Sequence, residues 1–275
     1  TFDQQGKHNL RIRKTLEAIY RHYEGDRESD NFKAFVVYLK RVWFASGIHH
    51  HYGCEKFEPG FSEESFYEMV DGVPEEVLPL AKGESREDLL GELVPVIFDP
   101  QVMAKRVNQT DGEDLVQTSA CNFYEDVTQA EVERFYAKMK DEANNTPPSY
   151  GLNSKLIKRN GELVEQRWTE DGLYGAAIKE IVAWLLRAQK FAENESQKHI
   201  IDLLVKYYRT GDLVDFDRYS IAWVEQHDGM VDFINGFIEV YGDPLGMKGT
   251  WEGIVEYKDL EATKRTQTIS QNAQW

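Results

Sequence analysis

The sequence predicts an α+β fold, largely helical with a smaller β-rich part, on three observations. Apolar residues recur at i, i+3, i+4 and i+7 through much of the first half, the spacing that turns one helix face toward a core. Asn160-Gly161 separates two short β-favouring runs, Leu156-Ile157 and Leu163-Val164, a hairpin pattern. From Ile221 onward the apolar residues are mostly aromatic or β-branched and are punctuated by glycine, which reads as strand.

Taken in order, Leu16, Ile19, Tyr20 and Tyr23 mark a first amphipathic helix, and Phe32, Phe35, Val36, Leu39, Val42 and Trp43 a second. The second is expected to stop at Gly47, which takes a left-handed conformation without strain. A long non-helical stretch, Ile48 to Gly60, follows. Ser62 and Ser85 stand where N-caps belong, with acidic residues in the first turn behind them, and Thr128-Gln129-Ala130-Glu131 fits a capping box. The helix begun at Ser85 should end near Asp99-Pro100, because the residue before proline leaves the helical region. Asn144 to Gly151 is turn-forming, and an internal boundary is expected near 144–151. Ala176 through Leu186 marks a long helix, and Ile200 through Tyr208 another that ends at Gly211. The tail, including Ile221, Trp223, Phe233, Phe237, Trp251, Ile254 and Val255, is expected to form strands, with a last helix from Leu260 to Trp275.

Composition narrows the function. With 41% hydrophobic and 12% aromatic residues the chain can bury a core rather than remain disordered. A formal charge of -16 repels phosphate backbones, so no nucleic-acid partner is expected. No run approaches the roughly 18 apolar residues of a membrane helix, and the start is not a signal peptide. Cys54 and Cys121 are too far apart for a metal-type pair and suit a reducing compartment, the cytoplasm. A chain beginning at Thr1 without Met reads as cut or processed, which leaves room for a lost export signal, and its stop at Gln274-Trp275 reads as an amputation.

Standard catalytic signatures are missing. None of the seven histidines is followed by Glu, and no GxSxG, phosphate-loop or GxGxxG pattern occurs. His49-His50-His51 with Tyr52 and Cys54 is the most conspicuous cluster. Zinc would suit imidazole and thiolate, but neighbours in an extended segment point to opposite faces, so the bland alternative is a loop of packed, hydrogen-bonded rings. Asp232, Asn235 and Glu239 stand among apolar residues between Val231 and Pro244. They either clamp a ligand's ammonium or pair with a nearby Lys or Arg.

Four segments resemble one family: Phe44 to Phe57 (FASGIHHHYGCEKF), Tyr150 to Ser154 (YGLNS), Asn235 to Gly246 (NGFIEVYGDPLG) and Lys258 to Arg265 (KDLEATKR). They are similar to dipeptidyl peptidase III, its Bacteroidetes-type members in particular. The resemblance implies a two-lobed zinc exopeptidase that releases dipeptides from short peptides with a free N-terminus. It also implies that residues 1–275 form a single fragment: most of the non-zinc lobe, built around a small β-barrel-like sheet, plus the start of the connection to the zinc lobe. The family's HExxGH motif and downstream glutamate are absent from this sequence. Zinc is therefore expected in the full-length enzyme and none in this chain, whose partners would be the peptide and the remainder of the enzyme. By the same resemblance Tyr52 stands where the family has an aromatic lining the substrate cleft, and Asp232 where it has an acid near the substrate's ammonium. Asn235 and Glu239 would complete that polar end, and Ile234 stands where some eukaryotic relatives have tyrosine. The rival expectation is a non-catalytic peptide-binding or interaction module.

Overall fold

The computed structural model describes all 275 residues. In chain order the elements are α1 (Phe2–Gln5), α2 (Asn9–His22), α3 (Asp30–Ala45), α4 (Glu63–Asp71), α5 (Arg86–Phe98), β1 (Tyr124–Glu125), α6 (Gln129–Ala137), β2 (Ser154–Arg159), β3 (Glu162–Arg167), α7 (Gly175–Ala188), α8 (Glu195–Thr210), α9 (Leu213–Glu225), β4 (Val231–Glu239), β5 (Thr250–Tyr257) and α10 (Leu260–Gln271). The fold is α+β and largely helical. Its five strands fall into two separate sheets, β1-β2-β3 and β4-β5.

The residues divide into two compact units. The first contains Thr1–Lys138, Lys155–Val164 and Val240–Thr250; the second contains Met139–Ser154, Glu165–Glu239 and Trp251–Trp275.

In the first unit, α2 to α5 bury a continuous core that includes Ile12, Leu16, Ile19, Phe35, Leu39, Phe66, Leu89 and Leu93. Ser62 and Ser85 accept the backbone N–H groups of Ser65 and Asp88, and Asp88 answers back to Ser85, which satisfies donors that a helix start leaves open. Thr128 and Glu131 close the expected capping box at α6. Helix α3 ends one residue earlier than its glycine suggests: Ser46 takes the left-handed conformation (φ 56) and its N–H, like that of Gly47, bonds back into the last turn. β1 runs parallel to β2, with Tyr124 opposite Leu156 and Glu125 opposite Ile157. Asn160 and Gly161, both at positive φ, form the two-residue turn that leads from β2 to β3.

Three cations, Lys56 half-buried and Arg106 and Lys248 buried, pin loops of this unit. Lys56 Nζ donates to the carbonyls of Val96, Asp99 and Val102, closing the end of α5. Arg106 donates to Gln5 Oε1 and to the His51 carbonyl. Lys248, 0% exposed, donates to the Tyr136 hydroxyl at 2.8 Å and lies over the rings of Tyr124 and Tyr136. Buried Asp243 accepts the Tyr124 hydroxyl and the backbone N–H groups of Leu245, Met247 and Lys248, folding this turn around one carboxylate.

In the second unit, α8 and α9 form a helical hairpin. Gly211 ends α8 in the left-handed conformation and Asp212 caps α9. Tyr207 packs on Phe216 at 4.8 Å and Phe216 on Tyr219 at 5.9 Å. Asp215, buried at the hairpin's mouth, accepts from Lys206 at 2.7 Å, Thr210 and Arg218. Ile221 and Trp223, expected in a strand, lie in α9. Their β-branched and aromatic character is overruled by the helical spacing of Phe216, Tyr219, Ser220 and Trp223, which turns these residues toward α8 and β4. No helix is long and apolar enough to cross a membrane.

Candidate functional site

In the first unit, the loop after α3 carries the histidine run. It closes on itself through an antiparallel bridge between His49 and Lys56, with His50 N–H donating to the Glu55 carbonyl at 2.7 Å. Three neighbouring imidazoles consequently take three different environments. His49 is 2% exposed and its Nε2 bonds the Met103 carbonyl at 2.7 Å. Its burial, aided by the charges of Lys56 and Arg106, pushes its pKa down to about 4. His50 Nδ1 accepts the Gly53 N–H. The His51 ring meets the Tyr52 ring edge-on at 4.9 Å and the Tyr241 ring at 6.3 Å. Tyr52 itself is 88% exposed, an aromatic face held upright by His51.

This geometry does not fit a zinc ion. No three His, Cys, Asp or Glu side chains converge anywhere in the chain, and His49, whose Nε2 is held by the Met103 carbonyl, has no second ligand beside its buried, unbonded Nδ1.

In the second unit, Asp232, Asn235 and Glu239 all lie on β4. Side chains alternate along a strand, so Asn235 and Glu239, four apart, share a face and Asp232 takes the other. The three do not form one cluster. Asp232 Oδ1 accepts the indole N–H of Trp223 at 2.9 Å and the Phe233 N–H at 2.7 Å, and these two bonds hold the carboxylate of this exposed residue through one oxygen, leaving Oδ2 without a hydrogen bond. It lies in a hollow with Gln197, His227 and Lys258.

On the opposite face, Asn235 lines a groove of about 510 Å³ whose walls include Ile181, Trp184, Phe233, Trp251 and Ile254. Its Oδ1 accepts the Tyr208 hydroxyl, and the Tyr208 oxygen in turn accepts the indole N–H of Trp251 at 3.0 Å. Ile234 belongs to the same lining. Glu239, exposed at the end of β4, acts on half-buried Glu252 of β5: burial first, then the charge of Glu239, raise the Glu252 carboxyl.

Tyr208, Trp251 and Glu252 were not singled out from sequence. Tyr208 counts there as one more apolar helix position and Trp251 as one more strand aromatic; their polar ends matter only once α8 and β5 flank β4.

A model of the family described as "Peptidase family M49" matches residues 119–275. Dipeptidyl peptidase 3 of Rattus norvegicus is 27% identical over 85% of this chain and 35% of its own length. The Homo sapiens protein of the same name is 26% identical over 82% and 33%. The chain thus spans about a third of the length of these relatives. Among solved structures, DPP III from Caldithrix abyssi aligns with a TM-score of 0.58 and 19% identity, covering 98% of this chain and 38% of that one. At that identity the likeness is one of fold.

Proposed function

Since the chain belongs to peptidase family M49, whose model covers more than half of it, we propose that it is part of a zinc-dependent dipeptidyl peptidase and forms one wall of the substrate cleft. The substrates in this reading are short peptides with a free N-terminus, and the partner is the remainder of the enzyme. Zinc, when bound there, would polarise the scissile carbonyl and activate water; no residue of this chain is assigned to it. What this chain's residues do is hold the peptide.

The observation that carries the reading is Asp232, a carboxylate pinned through one oxygen by Trp223 and the Phe233 N–H and without a hydrogen bond at the other. A free ammonium donates to that oxygen in a charge-assisted hydrogen bond, which an acylated amine cannot match. Glu252, whose carboxyl is raised first by burial and then by the charge of Glu239, marks a second acidic spot that a cation would relieve. Tyr52, on the first unit, is proposed separately as an aromatic surface for peptide. The two free thiols fit a reducing cytoplasm.

The test is binding of Ala-Ala-Phe-Ala and its N-acetylated form, followed by calorimetry. Acetylation is expected to weaken binding to the native chain, and Asp232→Asn to weaken binding of the free-amine peptide by about 10-fold or more while leaving the acetylated one unchanged. Equal affinity for the two peptides would remove the exopeptidase reading.

A further inference from the structure

The relay Trp251–Tyr208–Asn235 decides which atom of Asn235 a ligand meets. A phenol carries a single proton. Because the Tyr208 oxygen accepts the Trp251 N–H, that proton is the one donated to Asn235 Oδ1. Tyr208 is fully buried, and burial first of all keeps its hydroxyl protonated by raising its pKa. The carboxamide is therefore held in one of its two flip states, with its oxygen turned toward buried Tyr208. Its nitrogen makes no hydrogen bond within the protein, and Asn235 is one of the residues that line the groove.

An amide nitrogen presents only donors, and a donor repels an ammonium. Asn235 is thereby withdrawn from the set that could hold a peptide's amino terminus. Strand alternation says the same: Asp232 is on the other face of β4. The two hollows are nevertheless neighbours, since Val231 and Phe233 line both. A chain anchored at Asp232 reaches Asn235 past these residues, so what arrives there is a residue downstream of the amino terminus. It offers a backbone carbonyl, an acceptor, beside a side chain that the apolar walls of Ile181, Trp184 and Ile254 receive.

We infer that Tyr208 is a positioning residue that fixes Asn235 as a hydrogen-bond donor to a peptide carbonyl, and that the groove beside it takes an apolar residue downstream of the substrate's amino terminus. This rests on the peptide-binding reading above and adds the chemistry of a second contact to it.

The probe is again Ala-Ala-Phe-Ala, titrated into the 15N-labelled 275-residue chain. The side-chain NH₂ resonances of Asn235 are expected to move at saturation, a response that a purely structural role for the relay would not produce. Asn235→Asp replaces the donor by an acceptor while keeping the bond from Tyr208, and is expected to weaken binding about 10-fold. Tyr208→Phe frees the amide to flip and is expected to weaken binding about threefold without altering the ratio between free and acetylated peptide. Unmoved Asn235 resonances, or an Asn235→Asp chain that binds as tightly as the native one, overturn the inference while leaving the ammonium contact standing. Loss of the preference for a free amine with Asn235 still responding overturns only the ammonium contact. No binding at all overturns both.

Discussion

At the scale of single residues, the structure assigns the histidines to different tasks despite their adjacency. His49 is neutral and buried, with its Nε2–H donated to Met103. Its folded pKa of about 4 lies below the ordinary 6.5, so the proton binds more readily to the unfolded chain. The stability it contributes is fully present above pH 6.5 and lost as pH falls through 4. The difference corresponds to about 3 kcal/mol. His49→Gln keeps a donor for Met103 and removes the titration; urea unfolding followed across this window is expected to give a shallower acid dependence than the native chain. The sequence already favoured a packed loop over a metal site for this cluster, but could not name the partners that hold it. These are Met103, Gly53 and Tyr241, which lie up to 190 positions away and are brought in only by folding.

At the scale of elements, much was legible because helix starts are local. Ser62, Ser85 and Thr128 cap the helices that their sequence context announces, and Asn160-Gly161 turns the hairpin. The misreadings come from tertiary context. Ser46 rather than Gly47 takes the left-handed position, where the N–H groups of both residues find carbonyls of the last turn. Ile221 and Trp223 are helical because α9 has α8 to pack on, an energy that outweighs modest intrinsic propensities. The α8–α9 pair has its own polar lock in Asp215, whose side chain is 3% exposed. Burial would raise this carboxyl, but bonds from Lys206 and Thr210 and the charges of Lys206 and Arg218 leave it lowered. Asp215→Asn keeps the shape and removes the charge, and is expected to cost about 1–3 kcal/mol in chemical denaturation. An unchanged midpoint would mean that the half-exposed cations contribute little.

Among the candidate residues, sequence placed Asp232, Asn235 and Glu239 in one segment. It could not reveal that Asp232 would part from the other two, because the segment had to be identified as a regular strand before alternation applied. Nor could it find Tyr208 and Trp251, whose polar tips meet β4 from elements 27 residues before Asn235 and 16 after it.

At the scale of the whole molecule, the charge of -16 sets up a field that draws a cationic ligand in before any contact forms. Such attraction is screened over about 10 Å at 0.1 M salt. Affinity for the C-terminally amidated free-amine tetrapeptide, which carries one positive charge, is accordingly expected to fall as salt is raised from about 0.02 to 0.5 M, and that of its acetylated, uncharged form to change less. A salt response identical for the two would assign the field to solubility alone.

The burial of Lys248 makes one lysine of this chain a reporter. An amine that is 0% exposed, bonded to Tyr136 and covered by two aromatic rings, is shielded from acylating reagents that modify surface lysines within minutes. Its labelling requires the turn from Asp243 to Lys248 to open. Pulsed acylation read by mass spectrometry would therefore time that opening at a single position, and chaotrope series would reveal whether the turn lets go before the surrounding core or together with it.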